Sequence, residues 1–279
     1  MSLWYDLLGL LPFSFIEYDF MKNALLAFLL ISPLFGIAGT MVINNKMSYY
    51  SDALGHSALA GIAIGVLFGL QDFLLSMILF SVLFGLALST VKNKARSSSD
   101  TIIGVFSASA IALGIALLSR AGGFAKYNSF LVGDILAIRP FDILVLFLVL
   151  IGLLVFWFFF FNQLLLLSVN ASLAKSKGVQ IRLLENVFMV IIAILVTVSI
   201  KLVGTLLINA LLILPAAAAR NLARSVRNYH VLSVVFALIA GLGGLIVSYY
   251  INTATGATIV LCSAVIFAAT WLIAQRRPN

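Results

Sequence analysis

Runs of about twenty apolar residues recur along this chain with only short polar stretches between them, and no other feature limits its fold so strongly. Nine runs can be read: 20–43, 51–69, 72–91, 101–119, 141–161, 186–203, 205–220, 231–250 and 256–274. A hydrocarbon core about 30 Å thick needs about 20 residues of helix rising 1.5 Å each, so each run approaches the length of one crossing. With 63% hydrophobic and 9% charged residues, the chain also carries more apolar side chains than a soluble core of 279 residues could bury. The expected fold is all-α, a single transmembrane domain over 1–279. The run 101–119 and the pair 186–220, interrupted by Gly204, are short for crossings, so the expected count is eight or nine helices.

The loop charges orient the spans. Lys46, Lys92, Lys94, Arg96, Lys175, Lys177, Arg182, Arg220, Arg224, Arg227, Arg276 and Arg277 all fall on one side of the alternating topology. Lys22, Arg120, Lys126 and Arg139 fall on the other, and Lys201 lies within a span near that outer side. The positive-inside rule then places the N-terminus outside and the C-terminus in the cytoplasm. It also accounts for the net charge of +8 without a nucleic-acid partner. Cys262 is the single cysteine, which excludes an internal disulfide. Residues 1–19 contain no Lys or Arg and so lack the basic start of a secretory signal; Trp4, Tyr5, Phe13, Phe15 and Tyr18 suggest an interfacial segment instead.

One span departs from the apolar pattern. Asp52 and His56 stand four residues apart in SDALGHSALAGIAIGVLFG, one above the other on a helical face and about 6 Å apart along the axis. Two donors at that spacing can share one cation, as in zinc-binding helices with paired histidines. His56 is ten residues beyond Lys46, about 15 Å along a straight helix and so near mid-membrane. Ionisable groups at that depth are costly and usually line a pathway. Two plainer readings stand beside this one: Asp52 as a helix N-cap and His56 as a packed, hydrogen-bonded histidine. Gly61, Gly65 and Gly69 follow at four-residue intervals, a small-residue ridge suited to close helix packing in lipid.

Other polar residues are less informative. Asp134, in a glycine-rich outer stretch, is a possible gate residue or an ordinary loop acid, and Lys201 can reach the outer headgroups without a further role. Asn209 and Pro215 fit either a cavity lining or an interhelical bond and a kink. The longest inner loop, 168–186, has small and basic residues around Gly178, and a short helix over 171–177 would lie along the inner surface. No phosphate-binding loop, kinase set or cofactor fingerprint is present, so the chain has no means of spending a fuel by itself.

Several blocks together resemble the permease subunits of ABC importers for manganese, zinc and iron. They are MKNALLAFLL, GIAGTMVINNKMSYYSDALGHSALAGIAIG, SSSDTIIGVFSASAIALGIALL, SLAKSKGVQIRLLENVF and KLVGTLLINALLILPAAAARNLARS, in matching order over most of the chain. One departure is Asn45 and Lys46, where the family often has paired basic residues. The resemblance implies that Asp52 and His56 belong to the metal path and that 171–185 carries a coupling helix. Ala171, Ala174, Lys175 and Gly178 would then meet the ATPase. It further implies a second, usually identical permease subunit, two separate ATPase subunits, an extracytoplasmic metal-binding protein and a prokaryotic plasma membrane. The transported ion would be Mn²⁺, Zn²⁺ or Fe²⁺, with no permanently bound cofactor. A secondary metal carrier would want inverted repeats and more midplane acids. An intramembrane metalloenzyme would want a further ligand and a general base, and the chain has two histidines and two glutamates. A metal-chelate permease would need a wide cavity without the ligand pair.

Overall fold

The computed structural model describes residues 4–5, 14–70, 72–94, 97–120, 133 and 138–276. Among these, a 3₁₀ turn at Ser14–Ile16 precedes ten α-helices, and there is no strand. We number them α1 (Asp19–Asn44), α2 (Ser48–Leu67), α3 (Leu74–Lys94), α4 (Ser99–Arg120), α5 (Pro140–Val169), α6 (Ala171–Ser176), α7 (Ile181–Val203), α8 (Thr205–Leu222), α9 (Val226–Ile251) and α10 (Thr255–Gln275). Nine are long and correspond to the nine apolar runs. Seven of them are long and apolar enough to cross a membrane; α8 is shorter, and α2 is diluted by serines, tyrosines, Asp52 and His56. Asp134 lies outside the described residues. Lys201 falls near the end of α7.

Two helices run further than their apolar composition suggests. The run 141–161 continues as helix to Val169, because after Asn162 and Gln163 the chain returns to four consecutive leucines, all strong helix formers. Likewise α7 begins at Ile181, five residues before the expected run. Both extensions lead towards α6, so the long inner loop reduces to a short helix and two tight connections. At the other end of α7, Gly204 (φ +86°) closes α7 and opens α8, which makes 186–220 two helices rather than one.

The charged loops gather at one end. One cavity brings together Asn45, Lys92, Leu164 and Glu185, from the ends of α1, α3 and α5 and the start of α7. A second joins Asn44, Ser168, Arg220 and Arg224, and Asn221 Nδ2 donates to Thr270 Oγ1 of α10 at 3.2 Å. This is the basic end. Within the bundle α2 is central: it packs on α3, α4, α7 and α8, while α1 packs against α5, α8 and α9, and α10 against α8 and α9. The N-terminal segment is tied to α1, where Trp4 Nε1 donates to Lys22 O at 3.0 Å and Tyr5 OH to Asn23 Oδ1 at 2.6 Å. Phe15, buried, meets the rings of Tyr249 and Tyr250 at the end of α9.

Candidate metal site

The surroundings of α2 fix which way its ionisable pair faces. Towards α3, Tyr50 OH donates to Gly85 O, Ser57 Oγ to Ser81 Oγ at 3.0 Å, and Gly61 comes so close that a Cβ there would lie 2.7 Å from Met77 Cα. Gly65 abuts Ser76 and Phe73 on the same side. Towards α8, Ser51 Oγ donates to Asn209 Oδ1 at 2.6 Å, and Gly55 sits against Ile208 and Thr205. Higher up, Leu59 and Ala60 are covered by α4 at Gly114. Thirteen of the twenty residues of α2 are buried. Over its first three turns the open face is the stripe Tyr49, Asp52 and His56, at 65%, 44% and 24% exposure.

On that stripe His56 Nε2 and Asp52 Oδ2 stand 3.6 Å apart. That separation is too long for a hydrogen bond but suits two donors converging on an ion between or beside them. Asp52 does not cap the helix: α2 begins at Ser48, four residues earlier, and Asp52 lies within its second turn. Nor is His56 the packed histidine of the plainer reading: among the described residues no backbone group bonds its ring, and its side chain is 24% exposed. His230, the other histidine, has that character: its Nδ1 lies 2.8 Å from Val226 O, and its ring is enclosed by Trp157, Phe161 and Tyr229. Among the described residues no three His, Cys, Asp or Glu side chains cluster closely enough to hold a metal.

The glycine ridge needs correcting at its third position. Gly61 and Gly65 pack against α3, but Gly69 has nothing within 4 Å of where its Cβ would stand and lies beyond the helix at φ +68°. Its amide bonds Val66 O at 3.0 Å and that of Leu70 bonds Gly65 O at 3.0 Å. That pair of bonds is a Schellman ending, which requires a left-handed residue and so favours glycine. Gly69 terminates α2 rather than packing it.

The same ending shapes the inner loop. Asn170 Oδ1 accepts from Leu173 N at 3.0 Å to start α6; Gly178 (φ +79°) stops it, with its amide on Lys175 O and that of Val179 on Ala174 O. Ala171, Leu173, Lys175 and Gly178 are exposed, but Ala174 is wholly buried. Ala174 cannot touch another protein. A six-residue helix must turn one residue inwards to be held at all, and Ala174 is that residue.

Sequence reasoning missed the partners of Tyr50 and Ser57, because hydroxyls in a small-residue helix carry no directional signal. Asn209 was visible as a candidate for an interhelical bond, and its partner proves to be the residue preceding Asp52. Pro215 lies inside α8 just past Leu212, whose carbonyl Gly39 of α1 approaches closely enough to leave no room for a Cβ.

The whole helical arrangement has known counterparts. The profile of the ABC 3 transport family matches residues 17–274, nearly the full chain. The chain belongs to the ABC 3 transport family. Relatives in it include the manganese import system permease protein ScaB of Streptococcus gordonii, 33% identical over 261 residues that cover 94% of each chain. The high-affinity zinc uptake system membrane protein ZnuB of Haemophilus influenzae is 29% identical over 259 residues, 93% of this chain and 99% of that protein. A solved structure, PsaBC from Streptococcus pneumoniae in complex with Fab, superposes with a TM-score of 0.83 at 32% identity, over 97% of this chain and 95% of that one. An inward-facing metal-chelate type ABC transporter shares the fold at 17% identity, with a TM-score of 0.68. As a member of this family the chain is a multi-pass membrane subunit of a transporter.

Proposed function

We propose that this chain is the permease subunit of an ATP-driven importer of a divalent transition metal, Mn²⁺ or Zn²⁺, and that the metal passes between two copies of Asp52 and His56. The observation that carries the reading is the open stripe on α2: a carboxylate and an imidazole 3.6 Å apart lie on the part of the helix that the rest of the chain leaves uncovered. A second copy related by a two-fold axis supplies two further donors and covers Tyr49, Asp52 and His56 together. Two carboxylates and two imidazoles form a hard-to-borderline set that accepts either ion, in keeping with relatives named for manganese and for zinc.

The remaining machinery follows from the same reading. The basic end lies in the cytoplasm, and α6 docks with Ala171, Leu173, Lys175 and Gly178 on a separate ATPase chain, with Ala174 seating the helix from behind. Two permease copies, two ATPase subunits and an extracytoplasmic metal-binding protein complete the transporter. The test is uptake of radioactive manganese and zinc by the reconstituted complex, with Asp52→Ala and His56→Ala as variants. Normal uptake by both, in correctly inserted protein, sinks the site. Face-to-face packing is tested separately by Tyr49→Cys in a Cys262→Ser background, which should form a disulfide between copies under mild oxidation.

A further inference from the structure

At the basic end, between α5, α8 and α9, lies an open cavity of about 420 Å³ whose polar wall is formed by Asn44, Ser168, Arg220, Arg224 and Tyr229. Among the described residues that line it there is no Asp or Glu. Both arginines are exposed and neither has an ion-pair partner within the described residues. Tyr229 is different: it is 6% exposed, and among the described residues its phenolic oxygen has no hydrogen-bond partner. A buried hydroxyl without a partner is costly unless something absent from the chain itself supplies one. The cavity also receives the start of α9, where Ser225 Oγ accepts from Asn228 N at 3.2 Å. Because a helix start carries more free amides than one cap can serve, the positive end of α9 adds to the arginine charge.

We propose that this cavity binds the phosphate headgroup of an anionic membrane lipid. Two arginines, a phenol and a helix N-terminus make up a set of donors for an oxyanion, and the two full arginine charges outweigh the partial negative charge of the C-terminal ends of α1, α5 and α8 that also meet there. The lipid source is favoured by what adjoins the pocket. Val226, itself exposed at the start of α9, lines it. On the other side α5 presents exposed Leu154, Val155, Phe158 and Phe159 along its length. A headgroup held at Arg220 and Arg224 would lay its acyl chains along these surfaces, as basic pockets between transmembrane helices do elsewhere. The pocket does not include Asp52 or His56, so this inference stands or falls separately from the metal site.

The experiment titrates the purified full-length chain in neutral detergent with phosphatidylglycerol and counts retained lipids by native mass spectrometry, with phosphatidylcholine as control and inorganic phosphate in a separate arm. Phosphatidylglycerol should be retained selectively, and the double variant Arg220→Gln, Arg224→Gln should weaken retention by about twentyfold. Tyr229→Phe keeps the ring and its packing, and by losing one bond to a charged group should weaken retention by about tenfold. Equal retention of both lipids, or parental retention by both variants, overturns the proposal. So does inorganic phosphate occupying the site as well as the lipid does, which would make it a free-phosphate site. Variants that keep the lipid but lose the ATPase subunit would instead give the pocket to the partner protein, and would also overturn it.

Discussion

Helices α2 and α5 are opposite solutions to the same solvent. The thirty residues of α5 are almost uniformly apolar, yet only five are buried, with Phe158 exposed at 84% and Phe159 at 66%. In contrast, α2 is rich in Gly, Ala and Ser and carries the ionisable pair, yet it is one of the most enclosed elements of the bundle. In water the order would be reversed. In lipid, large apolar side chains gain little by turning inwards, whereas small residues let backbones meet and polar ones find partners. Apolarity therefore marks the lipid face of this protein, and smallness marks its centre.

The largest effect that would test this contrast is at the open stripe of α2. Asp52→Ala or His56→Ala each removes two of four proposed ligands in a dimer, so metal transport should fall by more than about a hundredfold while the melting temperature stays near the parent's. Phe158→Ala on α5, a much larger truncation, should leave uptake unchanged. If Phe158→Ala were the more damaging, the contrast would be misdrawn. Because carboxylates favour harder ions than imidazoles do, His56→Asp should shift preference from Zn²⁺ towards Mn²⁺. Competition binding of the two ions to the reconstituted complex without its metal-binding protein reads the shift.

Packing comes next in size. Gly61→Leu forces a side chain into the backbone of α3 at Met77 and should destabilise the protein by about 3 kcal/mol or prevent folding. Gly152→Leu on α5, where nothing stands within 4 Å, should be neutral, and thermal denaturation in detergent compares the two. Gly69→Leu, just past the end of α2, serves as a control: it has open space but a left-handed backbone, so its cost should be about 1 kcal/mol, from strain alone. A Gly69 variant as harmful as Gly61→Leu would return Gly69 to the packing ridge.

The smallest effect sought is at Ser51. Ser51→Ala removes the bond to Asn209 that fixes the turn carrying Asp52, and should cost about 1 kcal/mol while lowering metal affinity by a few-fold. Asn209→Ala should mimic it, and the double variant should be no worse than either single one. Additive losses would show that the two residues act independently.

How much of this was legible beforehand differs between elements. The nine runs read as helices because length and hydrophobicity are local properties of a chain in lipid. The ends of α5 and α7 were misjudged because a helix that leaves the membrane no longer needs apolar residues, only helix-forming ones. The ridge was read correctly at Gly61 and Gly65 and wrongly at Gly69, since a four-residue interval does not reveal where the helix stops. In α6 the same limit applied to Ala174: spacing identified a short helix but not which of its residues faces inwards.

Sequence alone determined that Asp52 and His56 share one face of one helix, because four residues of α-helix set their separation whatever surrounds them. It also determined that the basic loops collect at one end, since each crossing reverses the chain. The tertiary structure alone decided that this face is the one left uncovered. That outcome depends on α3, α4 and α8 closing around α2 through contacts at Gly85, Gly114 and Asn209, residues 33 to 157 positions away from Asp52 in the chain. Likewise, Arg220, Arg224 and Tyr229 are near neighbours in sequence, but the cavity they line exists only because the far end of α5 is packed beside them. Spacing along a helix is fixed by covalent geometry; exposure is fixed by what the rest of the chain brings alongside.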